Sequence, residues 1–180
     1  LAEPNALILY SALTRGPALP YEYQINSTRH FMREMNRLGV TSVIDAGGGY
    51  QNYPDDYKVI EALHQAGELT LRIAYNLFTQ KPGEEIADFS KWIKMVQPGH
   101  GDRHYRHNGA GEMLVFSAAD FEDFRMPRPN PTPGIGNDLE AVVRLLVSNR
   151  WPFRLHATYD ESITRFLNVN SEVAGIARMG

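Results

Sequence analysis

Pro152-Phe153-Arg154-Leu155-His156-Ala157 is the stretch that decides how the rest of the chain is read. Its apolar positions predict a short buried strand that delivers a histidine at its C-terminal end. One helical pattern precedes it, from Leu139 to Val147, and another follows, from Glu161 to Val173. A strand between two helices is β/α grammar, in which the C-terminal ends of parallel strands carry the chemistry. His156 is therefore a candidate metal ligand or general base. The plainer alternative is a core histidine bonded to a backbone carbonyl.

The same grammar repeats upstream. Phe31, Met32, Met35 and Leu38 keep helical spacing after a candidate cap at Asn26-Ser27-Thr28, and Gly39 suits the stop. Val40 to Ala46 is β-branched and apolar, which predicts a strand buried on both faces. Gly47-Gly48-Gly49 ends it, and Pro54-Asp55-Asp56 opens a helix through Val59, Ile60 and Leu63 that closes at Gly67. Leu69 to Leu77 reads as the second strand. Lys81 to Glu85 opens a helix carrying Ile86, Phe89, Ile93 and Val96, with early acids that suit the helix dipole. A polar segment from Gln97 to Gly111 follows, and Met113-Leu114-Val115-Phe116 reads as the third strand. A proline-rich connection from Ala118 to Gly136 leads to the last two helices and the strand of His156.

Strands alternating with helices imply an α/β fold with a parallel sheet. Two architectures fit this order: about half of a (β/α)8 TIM barrel, or a small open doubly wound sheet. We divide the chain into an N-terminal arm and turn, 1–26, in which Ala6 to Leu13 is an apolar run, and a partial barrel domain, 27–180.

The chain has 180 residues, 43% hydrophobic and 22% charged, enough for one domain with a core of its own. Its formal net charge of -3 argues against a nucleic-acid partner, which needs clustered positive charge. Cysteine is absent, so a metal here must use His, Asp, Glu or a modified Lys. No apolar run approaches the length of a membrane span, and a cytoplasmic location is expected. Leu1 to Asn5 lack the basic start of a signal peptide and an initiator methionine, as expected of a piece of something longer, whose missing start would hide any export signal.

Several segments together resemble the amidohydrolase superfamily, in particular the branch called amidohydrolase family 3. They are Leu38 to Asp45 with the glycines that follow, Leu69 to Tyr75, Pro152 to Ala157, and the helix with Ile163, Phe166 and Leu167. Members of that family are metal-dependent hydrolases on a (β/α)8 barrel and are longer than this chain. By the resemblance the four strands look like barrel strands two to five, and His156 like the metal-ligand histidine that ends strand five. The family's strand-four position supplies a bridging lysine or an acid. Here Glu112 is the nearest acid, and a solvent-facing residue at the start of a strand is the plainer reading. The family's His-x-His pair, later histidine and last aspartate have no counterpart.

The resemblance implies hydrolysis of an amide or related C–N bond in a small molecule, with a divalent metal, expected to be zinc, in the full-length parent. The isolated chain, with one or two ligands of the set, is expected to be inactive and to hold little or no metal. Asp45 at a strand end and Asp120 in the loop after the third strand are candidate substrate-binding residues; each also fits a structural role. His100, His104 and His107 share a polar segment whose glycines predict an irregular, solvated loop at the bottom face of the barrel; ligation of a metal is the alternative. Asp45 with three glycines lacks the Lys-Ser or Lys-Thr of a phosphate-binding loop. A reading from another class is a non-catalytic α/β binding or self-assembling module, because a half barrel leaves two open strand edges. A homo-oligomer is expected on that ground.

Overall fold

A computed structural model describes residues 16–47, 52–79, 81–118 and 135–177. They form five α-helices and three strands in alternation. In chain order these are α1 (Tyr21–Arg37), β1 (Ser42–Asp45), α2 (Lys58–Gln65), β2 (Arg72–Leu77), α3 (Glu85–Met95), β3 (Tyr105–Ala110), α4 (Ile135–Ser148) and α5 (Asp160–Ala177). Short 3-10 turns cover Asp55–Tyr57 and Phe116–Ala118. The apolar run Ala6 to Leu13, the glycines after Gly47, and Asp120 lie outside the described residues.

The helix ends follow from local chemistry. α1 begins directly after Pro20, whose carbonyl accepts the N–H groups of Tyr23 and Gln24. The start at Tyr21 corrects the cap expected at Asn26-Ser27-Thr28, where the Thr28 hydroxyl donates instead to Gln24 O inside the helix. α1 closes in a Schellman motif. The Val40 N–H donates to Met35 O and the Gly39 N–H to Asn36 O, with Gly39 at φ 81. The end of α4 repeats that pattern, Trp151 to Leu146 O and Arg150 to Val147 O, but the left-handed position belongs to Arg150 at φ 55.

The sheet runs β1-β2-β3, all parallel, and Phe153 adds one isolated parallel bridge to Ala110; the buried strand expected at Pro152 to Ala157 does not form, and that segment is exposed to half-buried. Spatial order thus follows chain order, as in an arc of a barrel. A doubly wound sheet instead reverses its order about an interior first strand. The register places Val43, Ile73 and Tyr105 at one level and Asp45, Tyr75 and His107 two residues further on, all on one face. Helices and loops cover that face: Tyr57 packs 5.1 Å from Tyr75, His64 of α2 5.6 Å from Tyr105, and Trp151 4.7 Å from His107, between ring centroids. The other face is open over β1 and the start of β2, and closes only at its far end, where Asn76 is buried. Ile44 is 53% exposed, and Arg72 and Arg106 on the same side are exposed too. β1 is therefore not buried on both faces as expected: its residues alternate between exposed and half-buried.

The third strand is also not where apolar content put it. It is the polar Tyr105–Ala110, and Met113 to Phe116 forms no strand. The reason is side-specific packing. Tyr105 stacks on Tyr75 at 4.8 Å and His107 lies between Tyr75 and Trp151, while Arg106 is exposed. Alternation of buried aromatic rings with outward polar groups stabilises the strand despite its polar make-up. His107 accordingly leaves the expected solvated loop and is wholly buried. One residue of β3 is extra: Tyr75 pairs with His107 but Leu77 with Ala110. This bulge, with Gly109 at φ 103, turns Ala110 to the covered face beside Leu77.

Candidate functional site

Three chain segments meet at the C-terminal edge of the sheet, and Glu112 is their hub. Its N–H donates to Ala46 O at the end of β1 (2.9 Å), and its carbonyl accepts the His156 N–H (2.8 Å). The Gly111 N–H donates to Leu77 O at the end of β2 (2.6 Å). This crossing needs bare backbone. A Cβ on Gly111 would lie 2.7 Å from Ala46 O and 2.9 Å from Gly47 Cα, closer than real side chains come.

The shift of β3 relocates Glu112. It does not start a strand; it stands two residues past the end of one, at the edge where β/α proteins carry their chemistry. There its Oε2 lies 3.5 Å from His156 Nδ1, with both side chains about a third exposed, at 35% and 30%. The other ring nitrogen of His156, Nε2, lies 3.2 Å from Thr158 Oγ1. Thr158 carried no signal in the sequence, because its relation to His156 depends on how the chain bends before α5.

Asp45 belongs to the same edge but turns towards the covered face. Its Oδ1 accepts the Gly47 N–H at 3.0 Å, and its carboxylate bonds the Tyr57 hydroxyl. Burial, with that carboxylate nearby, pushes the Tyr57 phenol above its usual range. Beneath the crossing, Asn76 is 1% exposed and its amide donates to Asn108 O (3.2 Å) and Ala110 O (3.0 Å). Asn76 holds β2 to β3 just below the site. A lone asparagine in the apolar run Ile73 to Phe78 was the one signal that could have found it.

The remaining histidines lie elsewhere. His64 Nε2 is 3.0 Å from Asp102 Oδ2 at the opposite edge, before β3. The N–H groups of His104 and Tyr105 hold the Asp102 carboxyl down at about 2, with help from His64. Burial lowers His107 against the upward pull of the Gln97 and Gly109 backbone, so it sits in the core as a neutral ring. Among the described residues no group of three or more His, Asp or Glu side chains converges on a metal position. What does converge is an imidazole and a carboxylate, both suited to a divalent first-row ion, where a catalytic zinc site uses three protein ligands. The pair fits such an ion as part of a larger set.

The family model described as amidohydrolase family matches residues 1–179, and so includes the arm that precedes Ser27. The curated proteins and the solved structures compared with the chain gave no match.

Proposed function

Because this chain belongs to the amidohydrolase family, we propose that it is part of a metal-dependent hydrolase of amide or related C–N bonds, with His156 and Glu112 as its share of the metal site. The observation that carries this reading is the meeting of those two side chains at the C-terminal edge of the parallel sheet. The family's hydrolase chemistry makes the substrate a small molecule, and divalent metals are general in it. Zinc is proposed here on the imidazole and carboxylate donors. When bound, such an ion makes a nucleophile of water near neutral pH and polarises a carbonyl.

This chain's own residues orient and support. His156 offers a ring nitrogen whose direction is set by the backbone bond to Glu112. Glu112 places a carboxylate beside it and ties the segment to β1. The Asn76–Asn108 amides stiffen the strand pair below. Asp45 and Asp120 are proposed as substrate contacts, Asp45 at this rim through the Gly47 turn that it holds. The other metal donors come from outside the described residues. A cytoplasmic setting is part of this proposal. Among the described residues no helix is long and apolar enough to cross a membrane.

The test is the metal content of the purified chain after dialysis against trace zinc, compared with His156→Ala. Near-stoichiometric zinc that the substitution abolishes supports the reading. Equal zinc in both proteins overturns a metal site at His156, and none in a sample shown to be folded means that the chain by itself is an incomplete scaffold whose two donors need the rest of the set.

A second reading, self-assembly, is favoured by the exposed apolar residues at the two lateral ends. Tyr23, Phe31, Leu38 and Ile44 are exposed at one end, and Ile163 and Leu167 at the other. Sedimentation velocity decides it: a concentration-dependent dimer supports the homo-oligomer, and a monomer throughout removes it.

A further inference from the structure

The two lateral ends of the molecule are chemically unlike. The helices pack in chain order, α1 on α2, α3 on α4 and α4 on α5, so α1 and α5 stand at opposite ends of the layer. On α1 the exposed Tyr23, Phe31 and Leu38 fall on one side, away from the buried Ile25 and Met32. The helix carries Arg29, Arg33 and Arg37 against Glu22 and Glu34. Arg29 pairs with Glu68 and Arg37 with Glu34, which leaves Arg33 without a carboxylate among the described residues. On α5 the exposed Ile163 and Leu167 lie one turn apart, and the charges are Asp160, Glu161 and Glu172 against Arg165. Each end thus has an apolar stripe, with an excess of positive charge at one and of negative charge at the other.

The two surfaces also match in direction and length. Both helices run away from the C-terminal edge of the sheet, α1 towards the start of β1 and α5 from the edge at His156, and they span 17 and 18 residues. Set side by side from their first residues, Tyr23 stands level with Ile163, and Ser27 with Leu167, to within one residue. The sheet ends likewise at both places: β1 pairs only with β2, and the segment of Phe153 meets the sheet only at Ala110. Joining like ends would set arginines against arginines or carboxylates against carboxylates. Joining unlike ends sets one against the other, and such complementarity steers encounter and rejects the wrong pairing.

We infer that the α1 end of one copy docks on the α5 end of a second copy, so that this chain is its own partner through two different surfaces. The inference rests on the self-assembly reading above and adds which surfaces meet. Tyr23, Phe31 and Leu38 of one copy cover Ile163 and Leu167 of the other.

The chain has no cysteine, so single cysteines report the contact. Ser27→Cys and Thr164→Cys, both at exposed positions, are treated with a short bismaleimide, each alone and as an equal mixture. The concentration is one at which sedimentation velocity shows the wild type associated. Coupled dimer is expected in the mixture and in neither variant alone. Coupling within one variant alone would put like ends together and overturn this pairing while self-assembly stands, and so would association without coupling in any sample. A wild type that is monomeric at every concentration overturns both. Charge gives a second readout on folded variants. Phe31→Glu, which turns an acid towards the acidic end, should weaken association about tenfold, and Phe31→Lys less. The reverse order would place α1 against another α1 and overturn the inference.

Discussion

Glu112 and His156, 44 positions apart in the chain, are joined twice: the His156 N–H donates to the Glu112 carbonyl at 2.8 Å, and their side chains meet at 3.5 Å. The backbone bond lies just past the bridge between Ala110 and Phe153, and it brings the two side chains to one place. Neighbouring parallel strands place residues at matching heights about 5 Å apart, within reach of an imidazole and a carboxylate. Whatever moves the ends of β1, β2 or β3 therefore acts on the pair.

Gly111→Ala is expected to do so directly. The added methyl would meet Ala46 O, Gly47 Cα and Leu77 O at 2.7 to 3.1 Å, all of them backbone atoms with no rotamer to change. Overpacking of this kind costs about 1–3 kcal/mol. Urea denaturation should show the loss, and the His156 side-chain signals should shift in the folded fraction. Wild-type stability would mean that the crossing at Gly111 is looser than these distances require.

Asn76→Leu should destabilise by about 1–3 kcal/mol, because it leaves the carbonyls of Asn108 and Ala110 without their donor in a buried place. Leucine fills the volume, so a loss measured by chemical denaturation reports the hydrogen bonds rather than a cavity. A neutral result would show that water satisfies those carbonyls.

Arg150→Gly is expected to stabilise. A side chain at φ 55 bears roughly 1–2 kcal/mol of left-handed strain, and glycine gives back roughly 0.5–1 kcal/mol through the freedom of the unfolded chain. A net gain of about 0.5–1 kcal/mol, read as a higher Tm, fits the Schellman geometry at the end of α4. A lower Tm would mean that the Arg150 side chain contributes more than its backbone costs.

His107 makes stability fall in mild acid. Burial lowers its pKa from the ordinary imidazole value of 6.5, so over that window the unfolded chain binds a proton that the folded chain does not. Its contribution is fully present above about pH 6.5 and declines as pH falls below, at up to about 1.4 kcal/mol per pH unit. Asp102 acts in a separate window. Its carboxyl is held at about 2, so its contribution is present above 3.8 and is lost only as pH falls towards about 2. Denaturation at a series of pH values should show the milder slope in the wild type and its loss in His107→Phe. A slope that survives the substitution would assign it elsewhere.

The helices were legible because their signals are local. Phe89 and Ile93 lie one turn apart on α3, Val142, Leu145 and Leu146 keep helical spacing on α4, and Gly39 and Gly67 stand at left-handed stops. The strand within Leu69 to Leu77 was legible for a related reason: Leu71, Ile73, Tyr75 and Leu77 alternate onto one face and are buried there. His156 was legible as a candidate ligand, but not its setting: Pro152 to Ala157 is half-buried to exposed and makes a single bridge at Phe153 where a buried strand was expected, and Glu112 was legible only as the nearest acid.

The third strand was not legible. Tyr105-Arg106-His107-Asn108-Gly109-Ala110 becomes a strand because Tyr75, Trp151 and His64 lie against its rings, and those partners are distant in the chain. The bulge at Gly109 then decides which face each later residue takes, since one extra residue inverts a period of two.

The sequence by itself determined the alternation of strands and helices, the helix limits set by proline and glycine, and His156 as a residue to examine. Each of these is written within a few consecutive residues through period, capping and backbone preference. Only the tertiary structure decided which polar segment completes the sheet, that β1 stays exposed on its second face, and that Glu112 stands beside His156. Sheet pairing joins residues by height in the ladder, and that height is set by partners and bulges that no local stretch of chain contains.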